Sequence, residues 1–254
     1  MSTAFIGTPA RTAQPAVLAG VALSKRYGDL TVLDGVDFSV GRSEAVGIVG
    51  PNGAGKTTLL NVLAGSVRPN AGTVMFAGND ITRLRPERRC RKGIGRAFQI
   101  PRPFGGMTVL ENVLVGAAYG AGLARDDAYR RCVEVLELCR LDDLANRRSD
   151  TLGLLHRKRL ELARALATDP QVLLLDEIGG GLTDAEAVDL VTTINLVRGR
   201  GTSIVWIEHI VHVLIQAIDR LVCMDAGRII ADGNPADVLR DAVVVDAYLG
   251  KAGP

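Results

Sequence analysis

The sequence predicts an α/β fold built on a parallel sheet covered by helices on both faces. Three observations carry that expectation. Short apolar runs alternate with helically patterned segments through the second half of the chain, one apolar run opens straight into a glycine-rich loop, and a helical insertion at about 100–165 interrupts the order. Strands buried on both faces read as continuous apolar runs, which is the pattern here. At 254 residues there is room for one large domain with a well-buried core, and no repeat or linker divides it.

Taken in order, Val17 to Ser24 and Thr31 to Val40 read as strands, with Gly28 and Asp29 as the turn between them. Glu44 to Val49 is a short apolar run, and Lys56 to Ala64 has helical spacing. Gly72 to Ala77 is a further strand candidate. From Val109 to Arg140 the apolar residues recur every three to four positions, and His156 to Ala167 forms a second helix leading to Val172–Asp176. Thr183 to Arg198 is helical and opens with a capping box between Thr183 and Glu186. Ser203 to Ile207 is a strand, Ile210 to Ile218 a helix and Leu221 to Met224 a strand. Asn234-Pro235 then caps and starts a last helical stretch.

Composition narrows the function classes. A net charge of +2 is too small to imply a nucleic-acid partner, and the richest basic run, Arg83 to Lys92, reads as a solvated helix face. The four cysteines form no CxxC pair. On one helix Cys132 and Cys139 stand about 10 Å apart, too far for a disulfide, so reduced thiols in a cytoplasmic protein are expected. Residues 1–16 lack a signal peptide's apolar core and read as a flexible extension, and no apolar run reaches the length of a membrane span.

The strongest local signal is Gly50-Pro51-Asn52-Gly53-Ala54-Gly55-Lys56-Thr57, followed by Thr58, which fits GxxxxGK[ST]. Glycines let backbone N–H groups converge on phosphate oxygens, Lys56 reaches the β and γ oxygens, and Thr57 offers a hydroxyl to Mg²⁺. A helix starting at Lys56 adds its positive end to the anion site. The partner acid is expected at the end of a buried strand, where Asp176 can hold Mg²⁺ through water and Glu177 can orient or deprotonate an attacking water.

With these residues in place the chain resembles the ATP-binding cassette (ABC) family from about Val21 to Gly250. The resemblance implies a P-loop NTPase with a RecA-like core, an N-terminal antiparallel β subdomain and an inserted helical subdomain. Residues 17–250 form one ATP-binding domain on this reading, with a tail at 251–254. Tyr27 sits where the family stacks an aromatic on adenine, the alternative being a partly buried strand tyrosine. Gln99 matches the glutamine that contacts Mg²⁺ and water, and His209 the histidine that contacts the γ-phosphate. Phe98-Gln99-Ile100-Pro101-Arg102-Pro103-Phe104, Met107 to Val113 and the ending Ala247-Tyr248-Leu249-Gly250 are similar to ATPases of importers for branched-chain and other hydrophobic amino acids.

One departure stands out. Where the family carries Leu-Ser-Gly-Gly-Gln, this chain has Leu152-Gly153-Leu154-Leu155-His156. In the family dimer that segment reaches the ATP held by the other subunit. Loss of the serine hydroxyl removes a charge-assisted hydrogen bond of about 1.5–3 kcal/mol. Either Gly153, Leu154, Leu155 and His156 are a tolerated variant with backbone contacts kept, or the two ATP sites of the dimer are unequal. Thr183, where the family has Asp or Asn, is a milder departure.

The resemblance implies ATP hydrolysis with Mg²⁺, powering import of a small solute: branched-chain or other hydrophobic amino acids, or amides. The implied partners are two membrane permeases, a second ATPase subunit (identical or not) and, indirectly, a periplasmic or extracellular binding protein. The location implied is the cytoplasmic face of the plasma membrane. A poorly hydrolytic regulatory subunit is the alternative, favoured by the altered signature and opposed by Glu177 and His209. A repair or translation ABC protein ranks below both, and a small-molecule kinase or GTPase does not explain Gln99 and His209 together.

Overall fold

The structure, a computed structural model, describes residues 16–249, with side chains to 248. Most of the expected N-terminal extension and the expected tail lie outside the described residues. Strands β1 (Ala16–Tyr27), β2 (Leu30–Gly41), β4 (Ala71–Phe76) and β5 (Asn79–Asp80) form an antiparallel sheet in the order β2-β1-β4-β5. The central sheet holds β3 (Ala45–Val49), β6 (Ile94–Ala97), β7 (Val172–Asp176), β8 (Ser203–Ile207), β9 (Arg220–Asp225) and β10 (Arg228–Gly233), ordered β10-β9-β3-β8-β7-β6. Its pairs from β9 to β6 are parallel and β10 is antiparallel to β9.

The two-residue strand period divides the central strands between two cores. Val172 and Leu174 of β7 face one core with Ile48, Val205, Ile207 and the antiparallel sheet. Leu59, Leu60 and Leu63 of helix α1 (Lys56–Ala64) pack into that same core. Leu173 and Leu175 face the other, with Trp206, Leu221 and the apolar sides of helices α5 (Leu154–Leu166) and α6 (Asp184–Gly199). Every residue of β3, β7 and β8 is buried, which explains their unbroken apolar sequences. Thr183 and Glu186 form the capping box that opens α6.

Three expectations change. The continuous helical pattern from Val109 to Arg140 divides into α3 (Val109–Val115), a π-helical turn (Gly116–Gly120) and α4 (Arg125–Leu138), because Gly120, Gly122 and their neighbours favour a break over continuation. The helix expected over Ile210 to Ile218 is only α7 (Val211–Leu214), continued by turns. The basic run is not wholly a solvated face: α2 (Pro86–Cys90) is short, and Arg89 is 1% exposed. Its guanidinium donates to the carbonyls of Val62 (2.8 Å), Leu63 (2.7 Å), Thr82 (3.0 Å) and Leu84 (3.1 Å). The first two belong to the last turn of α1, where the Val62 carbonyl also takes the Gly65 amide (3.2 Å), so a buried cation there fills remaining acceptor capacity and complements the helix dipole. Burial brings the Arg89 pKa down to about 10. The described cysteines are all free thiols.

Candidate active site

The loop between β3 and α1 is shaped by close approaches. Gly55, the N-cap of α1, has φ +100°, and a Cβ there lies 2.6 Å from the Val32 carbonyl oxygen, so only glycine fits. The loop is tied to the β9–β10 turn by the Gly227 amide donating to the Ala54 carbonyl (3.1 Å). No side chain caps α1 and no acid stands in its first turn, which leaves its positive end available to an anion. The Lys56 ammonium is 5% exposed and donates to the carbonyls of Gly50 (2.7 Å) and Pro51 (2.9 Å). Burial lowers its pKa, opposed by the charges of Glu177, Cys223 and Asp176. A cleft of about 190 Å³ is lined by Val32, Asn52, Gly53, Ala54, Gly55, Lys56, Thr57, Thr58 and Glu177.

Asp176 ends β7 next to Thr57 of the loop. Its carboxylate accepts from Arg96 Nη2 at 2.9 Å and from the Thr57 hydroxyl. Burial pushes its pKa up, while the Arg96 charge and both hydrogen bonds hold it down. Arg96 also donates to Asn61 Oδ1 on α1 (2.7 Å) and stacks 4.6 Å over the Phe98 ring. A hydroxyl, a carboxylate and the nearby Gln99 amide are hard oxygen donors. That set fits Mg²⁺, which takes few protein ligands and completes its shell with water and phosphate oxygens.

Glu177 follows in a left-handed conformation, φ +47°, costing about 1–3 kcal/mol for a non-glycine residue. Its amide donates to the Ile207 carbonyl (2.9 Å), which fixes the turn. One carboxylate oxygen accepts from the Gln99 amide, and the other lies 2.6 Å from His209 Nε2. The acceptor is a carboxylate oxygen, so Nε2 carries the proton. Three residues from three strand ends thus meet around one acid. Glu177 also lines the phosphate-loop cleft, which places its carboxylate beside Lys56 and Thr57.

Two predicted positions stand apart. Tyr27 is half exposed at the end of β1, with the Lys25 ammonium 4.9 Å over its ring, and Val32 rather than Tyr27 lines the cleft. Gly153 is the N-cap of α5, so Leu154, Leu155 and His156 form its first turn. No side chain caps this end either, and Leu154 is half exposed. Burial and the charges of Arg159 and Arg147 lower the His156 pKa. Sequence reasoning passed over Arg96, Lys158 and Glu208. For Arg96 and Glu208 the signal is a charged residue inside or directly after an apolar run, which must find partners when buried; Lys158, within the basic run His156–Arg159, carries no such signal.

A family model described as "ABC transporter" matches residues 33–179, more than half of the chain. The chain belongs to the ABC transporter family. It is an ATPase of that family, an ATP-binding and ATP-hydrolysing transport subunit. A second model, "Branched-chain amino acid ATP-binding cassette transporter", matches 228–253 of this ABC subunit. Among curated relatives, the high-affinity branched-chain amino acid transport ATP-binding protein BraF of Pseudomonas aeruginosa is 35% identical, covering 93% of this chain and 98% of its own. A probable branched-chain amino acid transport ATP-binding protein, LivG of Methanocaldococcus jannaschii, is 33% identical over 89% of this chain and 95% of its own. LivG of Escherichia coli K12 is 34% identical over 91% and 96%. Among solved structures, a nucleotide-free ATP-binding cassette from an ABC transporter superposes with a TM-score of 0.84 at 32% identity, covering 92% of this chain and 99% of that one. A cassette in its ADP conformation gives 0.84 at 32%, over 93% and 100%. The fold is that of an ABC ATPase, and among the described residues no helix is long and apolar enough to cross a membrane.

Proposed function

We propose that this subunit drives import of branched-chain or other hydrophobic amino acids, or related amides, from the cytoplasmic face of the membrane. Two permeases, a second ATPase subunit and an indirect solute-binding protein complete the machine. The relatives' names and the 228–253 match support the substrate class. The observation that carries the catalytic reading is the meeting of Gln99, Glu177 and His209 beside the phosphate loop.

The triphosphate of ATP lies along the loop from Gly50 to Thr58, taken by its amides and the α1 N-terminus. Lys56 exchanges its loop carbonyls for the β and γ oxygens. Thr57, Gln99 and Asp176 would hold Mg²⁺, Asp176 through water. When bound, the ion neutralises charge that develops on the phosphates. Glu177 orients the attacking water and takes its proton, steadied by the Gln99 amide on its carboxylate. His209 turns from Glu177 toward the γ-phosphate. Tyr27 contributes an aromatic face for adenine when the end of β1 closes over the base.

The Gln99–Gly106 segment is the link to the permeases. It is braced at Phe104, whose amide donates to Asn112 Oδ1 (2.8 Å), whose carbonyl accepts from Ser149 (2.8 Å), and whose ring lies 4.7 Å under Arg164. Displacing Gln99 disturbs Glu177 through the bond between them.

Lys56→Ala is expected to abolish ATP binding and partner-dependent turnover. Unchanged binding would overturn the site. In the assembled transporter, Glu177→Gln here should reduce turnover about 100-fold or more, whereas the matching change in the partner, whose site uses Gly153–His156, should reduce it less. Equal losses exclude asymmetry.

A further inference from the structure

We infer that Glu208 is a positioning residue for hydrolysis, a buried clamp that fixes His209 and Glu177 relative to each other and is joined through Lys158 to the helix carrying Gly153. Glu208 is 1% exposed and follows β8 directly. One carboxylate oxygen accepts from the His209 amide (2.9 Å) and the other from the Gly179 amide (2.9 Å). These amides belong to the two loops that present His209 and Glu177. A Cβ at Gly179 lies 2.7 Å from Glu208 Oε2, so the loop after Glu177 packs against the clamp with no space between. On the other side, Lys158 of α5, 4% exposed, donates to the Ile178 carbonyl (3.0 Å) and lies in the fields of Glu208 and Glu177. A buried anion holding two loops and a buried cation holding one of them to α5 form a continuous polar unit inside an apolar core.

The consequence is a link between the start of α5 and the loop after Glu177. Lys158 stands one turn beyond Leu154 on that helix, and Leu154 itself lies 3.3 Å from a Cβ built at Gly181. A shift of that helix end therefore pulls on Ile178, next to Glu177. A glutamine at 208 keeps the volume but offers one acceptor where two amides need one each.

The inference rests on the ATPase reading above, and its test separates the two. Glu208→Gln in the full-length chain should leave Mg-ATP affinity within about twofold, because the phosphate loop is untouched. Turnover with the membrane partners should fall about ten- to a hundredfold at unchanged KM. The chain has three histidines, so imidazole NMR reads the site directly: the His209 resonances should shift while those of His156 stay. Lys158→Met reads the same signals from the α5 side if Glu208→Gln does not fold. Unmoved His209 resonances, turnover within twofold of the parent, or a matching loss of nucleotide affinity would overturn the clamp. A parent chain that binds no ATP would instead overturn the proposed function, leaving the NMR result to decide the clamp.

Discussion

Helices α1 and α5 both begin on a glycine without a side-chain cap, while α3 and α6 open with complete capping boxes. The two bare ends differ in how they are made. At Gly55 the backbone is left-handed and pressed against the Val32 carbonyl, whereas Gly153 has φ −69° and nothing within 4 Å of a Cβ built there. The first glycine is demanded by geometry. The second is an open position where many residues fit. The backbone of one helix start is therefore fixed by its own chain, and that of the other is not.

The largest effect expected from breaking this contrast is at Gly55. Gly55→Ala places a methyl into the Val32 carbonyl at a backbone angle alanine avoids, and should cost about 3–5 kcal/mol of stability along with nucleotide binding. Urea unfolding and ATP titration measure both, and a mild effect would erase the distinction between the two glycines. The rear ends of the helices differ too. Arg89 holds two carbonyls at the end of α1, while Arg131 makes one bond (2.8 Å) to the Leu166 carbonyl at the end of α5. Arg89→Met should destabilise by about 2–4 kcal/mol and Arg131→Met by about 1 or less. Equal losses would show that α1 is not the more firmly anchored helix.

A pH series tests the packing beside α5. Burial pushes the Cys139 thiol up to about 12, against about 8.5 in an unfolded chain. The folded pKa is the higher one, so this contribution is complete below about pH 8.5 and is lost as pH rises toward 12. The slope is about 1.4 kcal/mol per pH unit per thiol. Unfolding curves at pH 8, 9 and 10 should show the decline, and Cys139→Ala should remove one thiol's share of the slope. The smallest stability change is at Gly153: Gly153→Ser adds an N-cap hydroxyl worth a few tenths of a kcal/mol. It should nevertheless raise turnover of the transporter if the opposite ATP site is limited by this segment. No gain in turnover would favour a tolerated variant.

How much was legible in the sequence follows the same physics. Val172–Asp176 and Ser203–Ile207 match the structure residue for residue, because a strand buried on both faces leaves no polar ambiguity. Lys56–Ala64 also matches, bounded by Gly55 and by Gly65 in a left-handed C-cap. The short edge strands β5 and β10 escaped because Asn-Asp and a half-buried run carry no continuous apolar signal. Arg89, Arg96, Lys158 and Glu208 escaped for a different reason. A charge is read as solvated unless its partners are known, and apart from the His209 amide beside Glu208 theirs come from 5 to 80 positions away, many of them backbone groups. At the site, Glu177, Gln99 and His209 were foreseen as separate roles, and their direct contact emerged only from the fold.

The left-handed backbone at Glu177 has an evolutionary edge. Glycine relaxes that torsion, so a change to glycine there relieves backbone strain while removing the acid. Selection for thermal hardiness alone would drift this lineage toward silent cassettes. Only a continuing demand for work keeps the acid in its uncomfortable seat.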